Sequence, residues 1–127
     1  MGTCRTFAAV MALACLIAMP ATAAPRSFVD AIIHIESKGK DHLRGKAGEW
    51  GRMQIKCATA RSVGFKGKCS QLADRATNVR YGTAYLDLAL RRAGGNLCHA
   101  ASLYQSGIFA RPRCSAYGRK VLKAMGR

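Results

Sequence analysis

Residues 36–60, ESKGKDHLRGKAGEWGRMQIKCATA, decide how the rest of the chain is read. Glu36 closes the apolar run FVDAIIHIE, in which Phe28, Val29, Ile32, Ile33 and Ile35 recur at helical spacing. Ser27 and Asp30 stand as a capping-box pair at its start. Glycines at 39, 45, 48 and 51 then break residues 37–53 into loop, and a helical pattern resumes from Gln54 to Val63, ending at Gly64. Glu36 lies one turn after Ile32 and Ile33, so its carboxyl runs along an apolar stripe. It also stands at a helix C-terminus, where the macrodipole disfavours negative charge. Both effects raise a carboxyl pKa, as a general acid near neutral pH requires. With the Gln54 amide beside a glycine-lined turn, such a carboxyl suits acid chemistry on a polymer threaded between them.

Outward from this stretch the pattern stays helical. Residues 65–73 are irregular and hold Cys69, and Asp74 caps the longest helix, 75–92, which Gly94-Gly95 stops. Asn96 caps a helix over 97–105, residues 106–114 form a loop with Gly107 and Pro112, and Ser115 opens a last helix reaching Met125. The expectation is an all-α domain of about five helices with no internal repeat or linker.

Upstream, Arg5, the apolar stretch Phe7 to Met19 and the small-residue triplet Ala21-Thr22-Ala23 read as a secretory signal peptide over residues 1–23. Its apolar run is shorter than the roughly 20 residues a membrane span needs. Cleavage near Ala23 would leave a single domain over 24–127, periplasmic or secreted. Cys4 and Cys15 belong to the leader, so Cys57, Cys69, Cys98 and Cys114 remain. Four cysteines in an exported small domain read as two disulfides with three possible connectivities. The local pairs Cys57–Cys69 and Cys98–Cys114 are favoured, since each ties a helix to the loop after it. The cysteine spacing lacks any CxxC pair, which argues against zinc.

Charge narrows the partners. The chain carries 21 Lys and Arg against 6 Asp and Glu, a formal net charge of +15. Such a surface attracts polyanions, among them an acidic cell-wall polymer. The basic residues are scattered without interleaved aromatics, so no nucleic-acid motif is present. Of the six carboxyls, Asp30 and Asp74 fit helix starts and Asp87 lies within the long helix. That leaves Glu36, Asp41 and Glu49 as acids for chemistry.

Three blocks at fixed order and spacing then point to one family. They are Glu36-Ser37 with Gly48, Gly51, Met53-Gln54-Ile55 and Thr59-Ala60; Asn78 with Gly82 and Tyr85-Leu86; and Tyr104-Gln105-Ser106-Gly107. In these the chain resembles the lysozyme-like soluble lytic transglycosylases. It departs from their pattern at Gly45, where a serine is usual, at Arg52, where a hydrophobic residue is usual, and at Gln105, where asparagine is usual.

The resemblance implies a peptidoglycan lytic transglycosylase without cofactor or metal, acting as a monomer on glycan strands. Glu36 would be its single acid and base, cutting between N-acetylmuramic acid and N-acetylglucosamine to leave a 1,6-anhydro end. Ser37, Met53, Gln54, Tyr104 and Gln105 would contact or line the substrate cleft. Trp50 is read evenly as a sugar-stacking residue or a core plug, and Tyr81 and Tyr85 as core. Small enzymes of this kind open the wall locally for a secretion or flagellar apparatus, which is the partner class implied. The alternatives are a lysozyme-type hydrolase using Asp41 or Glu49 as base, and a catalytically silent peptidoglycan-binding protein.

Overall fold

The computed structural model describes residues 23–127, so all of the expected leader except Ala23 lies outside the described residues. Five α-helices follow: α1 (Arg26–Ser37), α2 (Cys57–Ser62), α3 (Arg75–Arg92), α4 (Leu97–Ser106) and α5 (Ala116–Ala124), with a 3-10 turn at Cys69–Ala73 before α3. Among the described residues there is no strand beyond isolated bridges joining Arg44 to Trp50 and Trp50 to Ile55. No helix among them is long and apolar enough to cross a membrane.

Three helix starts follow the expected chemistry. The side chains of Asp74, Asn96 and Ser115 accept from the backbone N–H of Thr77, His99 and Gly118, each filling one of the orphan donors of a first turn. The start of α1 differs. Pro25, not Ser27, occupies the cap, its carbonyl accepting from Phe28 and Val29 N–H, and Asp30 pairs instead with Arg26 at 3.1 Å. A proline with its φ already set begins a helix without side-chain help.

The second helix also begins later than the pattern implies, at Cys57 rather than Gln54. Gln54 has φ 48, a left-handed conformation, and Trp50 and Ile55 exchange backbone hydrogen bonds of 3.0 and 3.2 Å around it. That tight turn removes residues 54–56 from the helix and puts the Gln54 amide on show.

The core is built where α4 packs on α3 and α5, and α1 packs on α5. Phe28 and Ile32 of α1, Leu86 and Leu90 of α3, Leu103 of α4 and Val121 of α5 are fully buried there. Gly118 permits the closest approach, since a Cβ there would lie 2.5 Å from the Cys98 carbonyl oxygen. The disulfides are Cys57–Cys69, tying the start of α2 to the 3-10 turn, and Cys98–Cys114, tying α4 to the residue before the α5 cap, with Cα separations of 5.4 and 5.1 Å. Both separations lie within the ordinary Cα range for a disulfide.

The long loop is held to this scaffold by one buried side chain. Asn78 on α3 accepts from Met53 N–H at 2.8 Å and donates to the Trp50 and Leu72 carbonyls at 2.7 and 2.8 Å. One turn further, Gly82 gives the Met53 side chain its space: a Cβ there would come within 2.5 Å of the Met53 sulfur. Asn78 and Gly82 thus work as a socket for the turn that presents Gln54.

Candidate active site

The end of α1, the loop over 45–56 and the inner faces of α3, α4 and α5 enclose an open cleft of about 540 Å³. Glu36, Glu49, Gln54, Tyr85, Tyr104, Gln105 and Tyr117 line it. Glu36 sits half-buried in its wall, and Lys38 with φ 51 ends α1 immediately behind it. The Tyr117 hydroxyl donates to Glu36 Oε1 across the cleft. Burial raises the Glu36 pKa above the usual carboxylate range, the Tyr117 hydrogen bond opposes that, and the negative charge of Glu49 adds to it. The dominant cause is desolvation of the charged form. Tyr117 and Tyr104 are themselves pushed up, first by burial and then by the charge of Glu36, so both stay neutral hydroxyl groups.

This arrangement gives the carboxyl two distinct oxygens. Oε1 is held by Tyr117, which leaves Oε2 to carry and release a proton. A hydrogen bond to the ionised form favours that form, so Tyr117 also stabilises the carboxylate once its proton has gone. Replacing Tyr117 by phenylalanine removes a cause that lowers the Glu36 pKa. With Glu36 as the acid that the family resemblance implies, the alkaline limb of the pH–rate profile is therefore expected to move to higher pH, while kcat falls about tenfold or more. Rates across pH on purified wall sacculi check both.

The neighbours have separate tasks. Gln54 Nε2 donates to the carbonyls of Gly51 at 2.8 Å and Leu43 at 3.1 Å, which holds the loop and leaves Oε1 facing Gly45. The Tyr104 hydroxyl donates to the Met53 carbonyl at 2.7 Å, and its ring packs 5.7 Å from that of Tyr85. Tyr85, read from sequence as core, is buried yet also lines the cleft, its hydroxyl accepting from Ile108 N–H at 3.1 Å.

Two residues expected at the substrate lie behind the wall instead. Ser37 is buried, donating to the Ile33 carbonyl and accepting from Gly39 N–H, so its hydroxyl finishes α1. Met53 is fully buried against Gly82. Neither lines the cleft. Trp50 is absent from the lining as well, packing at the edge of the core with the Arg44 guanidinium 3.2 Å from its ring centre.

The departures at 52 and 45 find physical roles. Arg52 points away from the cleft and bonds Asp41 at 2.6 Å, while Arg75 bonds the same carboxylate at 2.8 Å. These guanidinium groups, Arg75 first, lower the Asp41 pKa below the usual range. Asp41 is thus a loop clamp remote from the cleft, and of the two alternative bases only Glu49 reaches it. Gly45 is the floor against which Glu49 folds.

Tyr117 is the residue that sequence reasoning missed. It lies 81 positions from Glu36, so no motif spacing connects them. The available signal is its place one turn before the buried Val121, which puts a hydroxyl on the inward face of α5.

An all-helical lysozyme-like domain, with a half-buried glutamate in an open cleft and few other acids, is the class that fold and site define. Residues 16–123 match the Transglycosylase SLT domain, and the chain belongs to that family. The soluble lytic murein transglycosylase of Escherichia coli strain K12 is 30% identical over 89 residues, covering 65% of this chain and 14% of that protein. The endo-type membrane-bound lytic murein transglycosylase A of an Enterobacter species is 39% identical over 67 residues, covering 47% of this chain and 33% of that one. The chain therefore spans a third or less of these relatives. The crystal structure of the 70 kDa soluble lytic transglycosylase of E. coli superposes with a TM-score of 0.63 at 27% identity, covering 81% of this chain and 16% of that one.

Proposed function

We propose that this chain is a peptidoglycan lytic transglycosylase in which Glu36 serves as both acid and base. The observation that carries the reading is the desolvated Glu36 carboxyl in the cleft, one oxygen bound by Tyr117 and its pKa raised by burial. In the forward step its proton passes to the glycosidic oxygen between N-acetylmuramic acid and N-acetylglucosamine, and the C1–O bond breaks. The Glu36 carboxylate so formed takes the proton of the muramyl 6-hydroxyl as O6 bonds to C1. The ring closes to a 1,6-anhydro end and the acid is regenerated. No water enters, so the second catalytic carboxylate of an ordinary glycosidase has no obligatory part.

Mass spectrometry of the sugars released from purified sacculi tests this. Anhydro-muropeptides are the expected product. Hydrated reducing ends would instead assign the hydrolase reading, which Glu49 in the cleft makes concrete, and strong sedimentation on sacculi without release would assign the binding protein. The client apparatus, a secretion system or flagellum, follows from the family resemblance alone.

Export and trimming belong to the same reading. Ala24 N–H lies 2.7 Å from Asp87 Oδ1 on α3. Cleavage after Ala23 turns that amide into an ammonium facing a carboxylate, so trimming strengthens the contact instead of breaking it. N-terminal sequencing of protein from the periplasm is expected to start at Ala24. Asp87→Asn is expected to cost the trimmed protein about 1 kcal/mol, several degrees in Tm.

A further inference from the structure

The cleft contains a second carboxylate whose seat is built around a missing side chain. Residues 45–49 form a closed turn: Gly45 N–H donates to the Glu49 carbonyl at 3.0 Å and Gly48 N–H to the Gly45 carbonyl at 3.1 Å. Within it Ala47 N–H donates to Glu49 Oε2 at 3.0 Å, which folds the carboxylate back over Gly45. A Cβ at position 45 would collide with Glu49 Oε2 and lie 2.8 Å from Gln54 Oε1. Glu49 Oε2 and Gln54 Oε1 therefore both lie against the open face of Gly45, and both residues line the cleft. The Gln54 amide nitrogen is committed to the Gly51 and Leu43 carbonyls, so only its oxygen is turned to that face. Two neighbouring acceptors, of which only Glu49 Oε2 already holds a backbone N–H, have a defined ligand chemistry: their remaining lone pairs receive an O–H or N–H and repel carboxylates.

We propose that Glu49 is a substrate-positioning residue that, with Gln54, forms an acceptor pair for a hydroxyl or acetamido N–H of an N-acetylhexosamine in the cleft. The assignment rests on the function proposed above and deepens it. It also explains why position 45 is glycine, because any side chain there evicts the carboxylate. Glu49 acts on Glu36 as well. The titratable or charged groups lining the cleft around Glu36 are Tyr85 on α3, Tyr104 on α4, Tyr117 on α5, Lys56 ahead of α2, and Glu49. Among them Glu49 supplies the negative charge that raises the Glu36 pKa, so it favours the acid form that donates.

The test uses the isosteric Glu49→Gln and, as a variant that leaves the carboxylate chemically intact, Gly45→Ala. KM and kcat are measured on sacculi across pH. Binding of an N-acetylglucosamine hexamer is measured by calorimetry in the Glu36→Gln background, where no turnover can intervene. Replacing a charge-assisted hydrogen bond with a neutral one is expected to raise KM and the hexamer Kd about tenfold, with a smaller change in kcat. Gly45→Ala is expected to move both in the same direction. Glu49→Gln is further expected to shift the alkaline limb of the pH profile to lower pH, opposite to Tyr117→Phe. A purely structural Glu49 would lower Tm without moving KM or the hexamer Kd. Unchanged KM and hexamer Kd in Glu49→Gln overturn the proposal, whatever the pH profile does. Hydrated product ends that vanish with Glu49→Gln overturn it too, by making the residue a base. If wild type releases no sugar at all, the proposed activity fails, while calorimetry still reads the acceptor pair.

Discussion

Glu36→Gln is expected to abolish release of sugar from sacculi, a loss of roughly 1,000-fold or more. A positioned general acid or base contributes roughly 100- to 10,000-fold, and here one carboxyl is asked to act in both directions within a single turnover. Glutamine keeps the acceptor oxygen that Tyr117 binds, so the cleft stays assembled while the transferable proton is gone. The variant should also be at least as stable as wild type at pH 7. The folded pKa of Glu36 lies above its ordinary value of 4.5. The stabilisation carried by its proton is fully present below that ordinary value and is lost as pH rises through the raised folded value. Above that raised value wild type bears a half-buried carboxylate that glutamine avoids. Thermal melts at pH 4 and pH 7 check this: the advantage of Glu36→Gln appears only at the higher pH. A variant that is inactive and destabilised at pH 7 would place the loss in folding instead of chemistry.

Asn78→Leu carries the largest expected effect on stability. The side chain is fully buried and makes three hydrogen bonds to backbone groups at Met53, Trp50 and Leu72. Leucine has similar bulk but leaves one N–H and two carbonyls buried without that partner, at about 1–3 kcal/mol for each group. The sum is about 3 kcal/mol or more, which in a domain of this size lowers Tm on the order of 15 °C or more. Gly51, with φ 66, already sits so close to Asn78 that a Cβ there would be 2.6 Å from Nδ2, so the socket has no slack for methyl groups in place of the amide atoms. Activity should fall further than stability, because the same bonds hold the turn that aims Gln54. Circular dichroism melts and turnover below Tm separate the two losses.

The fold was largely legible in the chain. Period-3.6 apolar residues and side-chain caps are local signals, and Asp74, Asn96 and Ser115 act where their types and positions imply. The ends of α1 and α2 were less legible, since Pro25 and the left-handed Gln54 answer to backbone geometry that several residue types can meet. Within the site, Glu36 and Gln54 stand out through the family blocks that hold them, and Gln105 joins them at the cleft.

What the sequence by itself determined is the helical order, the number of acids and the position of the candidate acid. Only the tertiary structure decided which side chains share the cleft. Ser37 and Met53 adjoin the key residues in the chain yet turn inward, because a helix end and a buried socket claim them. Tyr117 and Glu49 reach Glu36 from α5 and from the loop. The packing of α1 on α5, and the space over Gly45 that the Glu49 carboxylate fills, create that arrangement, and neither is written in any local pattern. Local hydrogen bonding selects the elements; long-range packing selects the chemistry that they surround.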